Sequence, residues 1–243
     1  MSLLANLATD TEIQDETDSL GGGSRTLESG LYDVNIDVAY VMQSKGEATG
    51  IVLHLSTDDE REIRQTLWAT SGKAKGRKNY YEDKNGNKKY LPGFLHANAL
   101  ALLTVGKEIS SLETEERVIK LWNKDAGGEI PTKVNMLTDL VGKRILVGLI
   151  KQTVDKTSLD GSGNYAATGE TREENEIDKL FRSEDKMTTT EIRAQATEPA
   201  FADAWEKKWA GVTKDRSTKV AAGGTAGVPK AAGAAKPTTS LFG

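Results

Sequence analysis

From Leu31 to Met42 the chain alternates: Tyr32, Val34, Ile36, Val38, Tyr40 and Met42 are separated by Asp33, Asn35 and Asp37. A period of two with one wet face predicts a half-buried β-strand. Ser44-Lys45-Gly46 predicts a turn in which the glycine takes the positive φ. A second strand is expected from Ala48 to Ser56, with Ile51, Leu53 and Leu55 on one face. After the polar turn Thr57-Asp58-Asp59-Glu60, a third is expected from Arg61 to Thr70. There Ile63, Gln65, Leu67 and Ala69 share one face, and Arg64, Thr66 and Trp68 the other. Three strands joined by short turns predict an antiparallel meander.

The period changes after Leu91-Pro92-Gly93. Leu95, Ala99, Leu102 and Leu103 recur at helical spacing, which predicts a helix over Phe94 to Val105 that Gly106 stops. Val118–Asn123 and Thr132–Leu137 predict a short strand pair around Asp125-Ala126-Gly127-Gly128. Lys143–Thr153 predicts a strong strand and Glu174–Arg182 a weaker one, with a polar loop, Asp155–Glu173, between them. Thr197–Ala210 predicts a helix with Thr197 as N-cap and Pro199 in its first turn. Its Phe201, Trp205 and Trp209 stripe reads as a face docked on the sheet. Meander, helix and two further strands follow the order of an OB-fold, a five-stranded, partly open barrel. The expected fold class is therefore mainly β: an OB-like barrel with accessory helices, an inserted hairpin and a C-terminal helix.

The ends read differently. Residues 1–25 carry five acidic residues and close on Gly21-Gly22-Gly23-Ser24, which predicts a flexible acidic arm. Residues 26–211 hold the predicted domain. Residues 212–243 are expected to be a disordered, Gly/Ala-rich, low-complexity tail with too few large apolar residues for a core. No apolar run approaches the ~20 residues that span a bilayer, and the start lacks the basic region of a signal peptide. A soluble, cytoplasmic protein is expected.

Composition narrows the chemistry. With no cysteine among 243 residues, disulfides, thiolate metal sites and a cysteine nucleophile are excluded. His54 and His96 share no recognisable spacing with serines or carboxylates, and no DxD, HxH or ExxH grouping points to a metal. No enzyme, metal or cofactor is expected. The formal net charge of −4 hides a segregation. Met1–Leu20 carries Asp10, Glu12, Asp15, Glu16 and Asp18 without a cation, a local charge of −5. Ser71–Phe94 carries Lys73, Lys75, Arg77, Lys78, Lys84, Lys88 and Lys89 against Glu82 and Asp83, a local charge of +5.

That segment combines two things a single strand needs. Cations follow phosphates and release counterions, while Tyr80, Tyr81, Tyr90 and Phe94 offer flat faces to unpaired bases. A solvated ribbon whose charges only confer solubility is the competing reading, but such ribbons seldom need three tyrosines. The GxxxxGK[ST] phosphate loop is not formed, because Gly72 and Gly76 have the wrong spacing. Trp68 lies on the polar face of its strand, either as a stacking platform continuous with the loop or as cover for the second face of the sheet. Lys151, Tyr165 and Arg172 are further candidates on the wall after the fourth strand.

The stretches LESGLYDVNIDVAYVMQSKGEATGIVLHLST, SGKAKGRKNYYEDKNGNKKYLPGF and DLVGKRILVGLIKQ resemble single-stranded DNA-binding proteins of bacteriophages, over roughly Leu27 to Arg182. The resemblance implies an OB-fold core and a role in phage DNA replication and recombination in the host cytoplasm. It also implies a binding surface that includes Lys73, Lys75, Arg77, Lys78, Tyr80, Tyr81, Lys88 and Tyr90. Such proteins often end in an acidic tail with a terminal aromatic. Here Phe242 is nearly terminal, but Lys214, Arg216, Lys219, Lys230 and Lys236 outnumber Asp215. A Leu241-Phe242 docking peptide for replication or recombination proteins remains an expectation, and self-association is left open. A phage structural or scaffold protein is the alternative.

Overall fold

The structure is a computed structural model and describes residues 26–123, 125–161 and 165–218. The acidic arm and the Leu241-Phe242 peptide lie outside the described residues.

The meander forms as expected: β1 (Gly30–Gln43), β2 (Thr49–Thr57) and β3 (Glu62–Trp68) pair antiparallel in sequence order. The alternation of β1 is interrupted, however. Its register against β2 shifts between Ile36 and Val38, a bulge at Asp37. One extra residue exchanges the two faces of a strand. Val34 and Ile36 therefore face the core before the bulge, and Ala39 and Val41 after it, in place of Val38, Tyr40 and Met42. The turn into β2 also differs. Glu47, and not Gly46, takes the positive φ, at 60°, and Ser44 Oγ accepts from Ala48 N.

The basic segment contains a short hairpin of β4 (Tyr80–Glu82) and β5 (Lys88–Tyr90). Helix α1 (Pro92–Thr104) starts two residues before Phe94, because Pro92 has its φ pre-set for the first helical position. β6 (Glu115–Asn123) and β7 (Gly128–Met136) form the expected pair with longer arms, and β7 joins the C-terminal half of β1. The polar loop expected over Asp155–Glu173 is largely strand. β8 (Arg144–Leu159) and β9 (Tyr165–Phe181) make one long antiparallel ribbon with a register slip between Asp155 and Thr157. Both faces of its outer half are wet, so no apolar alternation announces it.

After β9 comes α2 (Thr189–Arg193), which the apolar pattern does not signal. Thr188 and Glu191 form a capping box around its start. Helix α3 spans Phe201–Trp209, shorter than expected, and Thr197 does not cap it. Glu191 Oε1 instead accepts from Ala200 N and Phe201 N, at 2.9 and 2.8 Å. The cap comes from another helix, which local sequence cannot reveal. Beyond Gly211 the chain adds β10 (Thr213–Asp215), parallel to β8.

The fold is mainly β and antiparallel apart from β10. Its main path runs β10-β8-β1-β2-β3, with β9 on the far side of β8. Among the described residues no ladder joins β3 to β9, so the sheet is not a closed barrel. One hydrogen bond crosses the gap, from Ile177 N to Gln65 Oε1 at 2.7 Å. Helix α1 fills the end of the curved sheet and buries Ala97, Leu100 and Leu103 against Val34, Leu53, Leu67 and Ile177. A second core holds Phe181, Leu146, Ile150 and Trp205, docking α3 on the outside of β8 and β9. Trp205 is buried as expected of its stripe, whereas Phe201 is 44 % exposed. No described helix is long and apolar enough to cross a membrane.

Candidate nucleic-acid interface

Where β3 ends and α1 begins, the two elements almost touch. A Cβ on Gly93 would lie 2.2 Å from the carbonyl oxygen of Trp68, so only glycine lets the helix start there. The residues between, Ala69 to Leu91, are thrown outward as a flap. Its base is tied to the β1–β2 turn. Lys73 N donates to Gly46 O at 2.8 Å, and a Cβ on Gly72 would stand 2.7 Å from the same oxygen.

Between flap, sheet and helix lies a cleft of about 1180 Å³. Its floor includes Leu67 and Trp68 of β3 and Ile177 of β9. One wall is formed by the flap with Lys75, Lys78, Tyr80 and Tyr81, and the other by Pro92, Gly93 and His96 of α1. Trp68 is 41 % exposed and Tyr81 46 %. The ring of Trp68 packs over Gly50 of β2. Tyr80 is half-buried between two ammonium groups, Lys78 Nζ at 5.3 Å and Lys88 Nζ at 5.2 Å from its ring centre. Such cation–π contacts hold the flap's cations over its ring.

The charge of the flap is smaller than its composition. Lys73 Nζ sits 3.0 Å from Glu47 Oε1, and Arg77 bonds to Glu47 Oε2. Lys89 pairs with Asp83 at 2.9 Å, which holds the Asp83 carboxyl below its usual range. Lys75, Lys78, Lys84 and Lys88 form no ion pair among the described residues and are the cations available to a phosphate chain. Glu47 escapes sequence reasoning because it is remote in the chain from the cations it meets. Its only local sign is an acidic residue in a tight turn.

Several expected positions lie elsewhere. Arg77, Lys88, Lys89, Tyr90 and Phe94 are on the flap or at its exit but do not line the cleft. Tyr90 leans on Phe94 with ring centres 4.9 Å apart. Lys151, Tyr165 and Arg172 are not brought to the cleft. Lys151 Nζ is held by Glu28 and Glu173 at 2.9 and 3.2 Å, and Arg172 by Glu174 at 2.9 Å. Tyr165 stands near the tip of the β8–β9 ribbon, 74 % exposed. Both cations are thus already answered by carboxylates: Lys151 by Glu173 of β9 and by Glu28 ahead of β1, and Arg172 by Glu174 two residues on in its own strand.

His96 lines the cleft although its spacing gave it no role. Its Nε2 is 3.0 Å from the carbonyl oxygen of Asp178, and burial pushes its pKa below the ordinary value. It is neutral at pH 7, donates from Nε2, and adds no charge. Glu176, also in the lining, is paired with Arg216 at 2.9 Å. No group of three or more metal-ligating side chains occurs among the described residues. The cleft offers open aromatic faces, a few unpaired ammonium groups and an apolar floor, which suits flat rings on a charged thread.

No family model matches the chain, and no curated protein matches it.

Proposed function

We propose that the chain binds single-stranded DNA without sequence preference, laying the strand through the cleft between the flap and α1. The observation that carries this reading is the placement of Trp68 and Tyr81, both open to solvent, in one cleft with Lys75 and Lys78, which have no ion pair among the described residues. Stacking on such rings tolerates any base, and ammonium groups on a mobile stem follow any backbone. Several of the polar side chains that line the cleft are engaged within the fold: His96 with the Asp178 carbonyl, Gln65 Oε1 with Ile177 N, Thr70 with Thr49 N, Ser71 with Lys78 N and Glu176 with Arg216.

The topology supports an OB-like reading. β1 pairs with β2 on one side and β8 on the other, β2 continues to β3, β8 continues to β9, and α1 stands between β3 and β8 in the chain. We read this order, with Gln65 linking β3 to β9 by one hydrogen bond, as that of a partly open five-stranded barrel with β6 and β7 as an insertion. The resemblance to phage proteins supports a role in DNA replication or recombination.

The test is a titration of the full chain against oligo-dT, duplex DNA and single-stranded RNA at two salt concentrations, read by mobility shift and by tryptophan fluorescence. Binding to oligo-dT should weaken with salt at a log–log slope of roughly −3 if about four phosphates are neutralised at ~0.7 each. No binding of oligo-dT at low salt would overturn the reading.

A further inference from the structure

Among the described residues, strand β6 is hydrogen-bonded on one side only, to β7. Its other edge runs nine residues without proline, glycine or a break in register. Exposed edges are ordinarily blunted by such interruptions, because unpaired N–H and C=O groups recruit another strand. The wet face of this strand also carries large apolar groups: Val118 is 60 % and Trp122 66 % exposed. They share that face with Glu116 and Lys120, by the alternation of the strand.

We propose that β6 pairs with β6 of a second copy of this chain, antiparallel, about a two-fold axis at Val118. That axis sets Val118 against its own copy and Glu116 against Lys120 of the second copy, twice by symmetry. Neighbouring axes serve worse: one at Lys120 sets two ammonium groups face to face, and one at Arg117 two guanidinium groups. One at Ile119 leaves Glu116 opposite Trp122. Lys120 has no ion pair among the described residues, and its neighbour across β7 is Pro131. Glu116 is bonded to Lys133 at 2.7 Å, so the pairing extends an alternating row, Lys133 to Glu116 to Lys120 of the second copy. Strand addition at a free edge is an established mode of recognition, and an isologous contact closes after two copies.

The experiment is sedimentation velocity of the full chain over a wide concentration range, with two sets of variants. The native chain should show a monomer–dimer equilibrium. Glu116→Lys and Lys120→Glu should each raise the dimer dissociation constant about tenfold or more, since two favourable cross-strand pairs become two like-charge pairs. An equal mixture of the two variants should regain a dimer, because each then faces the opposite charge. The chain has no cysteine, so Val118→Cys introduces one thiol. Cα atoms opposite each other in an antiparallel pair are about 4.5–5.5 Å apart, within disulfide range. Mild oxidation should cross-link Val118→Cys and leave Trp122→Cys without a covalent link, since position 122 does not face its own copy about that axis. A native chain that stays monomeric overturns the proposal. So does a dimer indifferent to both charge reversals, or one that cross-links through Trp122→Cys in preference.

Discussion

Lys73 and Glu47 meet at 3.0 Å across the base of the flap, and the same carboxylate also holds Arg77. Two of the cations that composition assigns to the flap are therefore already answered. Both pairs are largely exposed, so each adds little stability. Their effect is on the field at the mouth of the cleft.

Glu47→Gln should strengthen binding. The amide keeps the shape of the turn and frees two positive charges for phosphates. We expect oligo-dT to bind about threefold to tenfold more tightly at low salt, with the salt slope steeper by about 1. Mobility-shift titrations at several salt concentrations check both. Weaker binding would mean that Glu47 serves by holding the flap in place and that its charge costs the site nothing.

Trp68 and Tyr81 should each contribute through their rings. Alanine at either position is expected to cost roughly 1–3 kcal/mol of binding, the usual worth of one base–aromatic stack, with an unchanged salt slope. Lys75→Ala and Lys78→Ala should instead reduce the slope by ~0.7 each. Titration of the four variants separates the two classes. Tyr165→Ala and Arg172→Ala, remote from the cleft, should leave both quantities as they are.

The meander, α1, the β6–β7 pair and the flap between β3 and α1 could all be read from the chain, because each leaves a local trace in period, proline or glycine. What escaped depends on partners distant in sequence. The bulge at Asp37 lies where the other edge of β1 passes from β8, paired with residues 30–35, to β7, paired with Tyr40 and Val41, and nothing in its alternation marks the exchange of faces. The outer half of β8 and β9 is held by cross-strand pairs on two wet faces, where polarity imitates a loop. The start of α3 depends on Glu191 of another helix. At the site, Trp68, Tyr80, Tyr81, Lys75 and Lys78 were legible as a cluster, and the cleft gathers them. Glu47 and His96 were not, since neither has a neighbour in sequence that explains its position.

Gly148 should tolerate no larger residue. A Cβ there would come within 2.9 Å of Trp205 Cζ2. The indole cannot slide away freely, since its Nε1 donates to Asp178 Oδ2 at 2.8 Å and its ring is 4 % exposed. Gly148→Val is expected to cost about 1–3 kcal/mol as an overpacked core, seen as a lower urea midpoint. Because α3 docks outside β8, far from the flap in the chain, DNA affinity of the folded fraction should persist. An unchanged midpoint would show that α3 can shift without loss.

Stability should fall as pH drops from about 7.5 toward 5.5, in part through the histidines. Burial lowers the pKa of His96 most, and the Asp178 carbonyl pulls the other way, with the Asp178 and Glu176 carboxylates and Lys179 adding smaller effects. For His54 burial again leads, Arg64 assists, and Glu62 and Asp37 oppose. In the unfolded chain both rings take up protons as pH falls through the ordinary value of 6.5. In the folded chain they do so only at lower pH. The unfolded state therefore binds more protons in that window, and the stability held above it is lost on acidification. Asp83, Asp185 and Glu191, whose carboxyls are held below their usual values, act in the same direction but at lower pH. His96→Gln can still donate to the Asp178 carbonyl and does not titrate. Urea unfolding of both proteins at pH 7.5, 6.5 and 5.5 should show a shallower decline for the variant, the remaining slope belonging to His54. Equal slopes would mean that His96 takes up its proton as readily folded as unfolded, and that the bond to Asp178 matters more than burial.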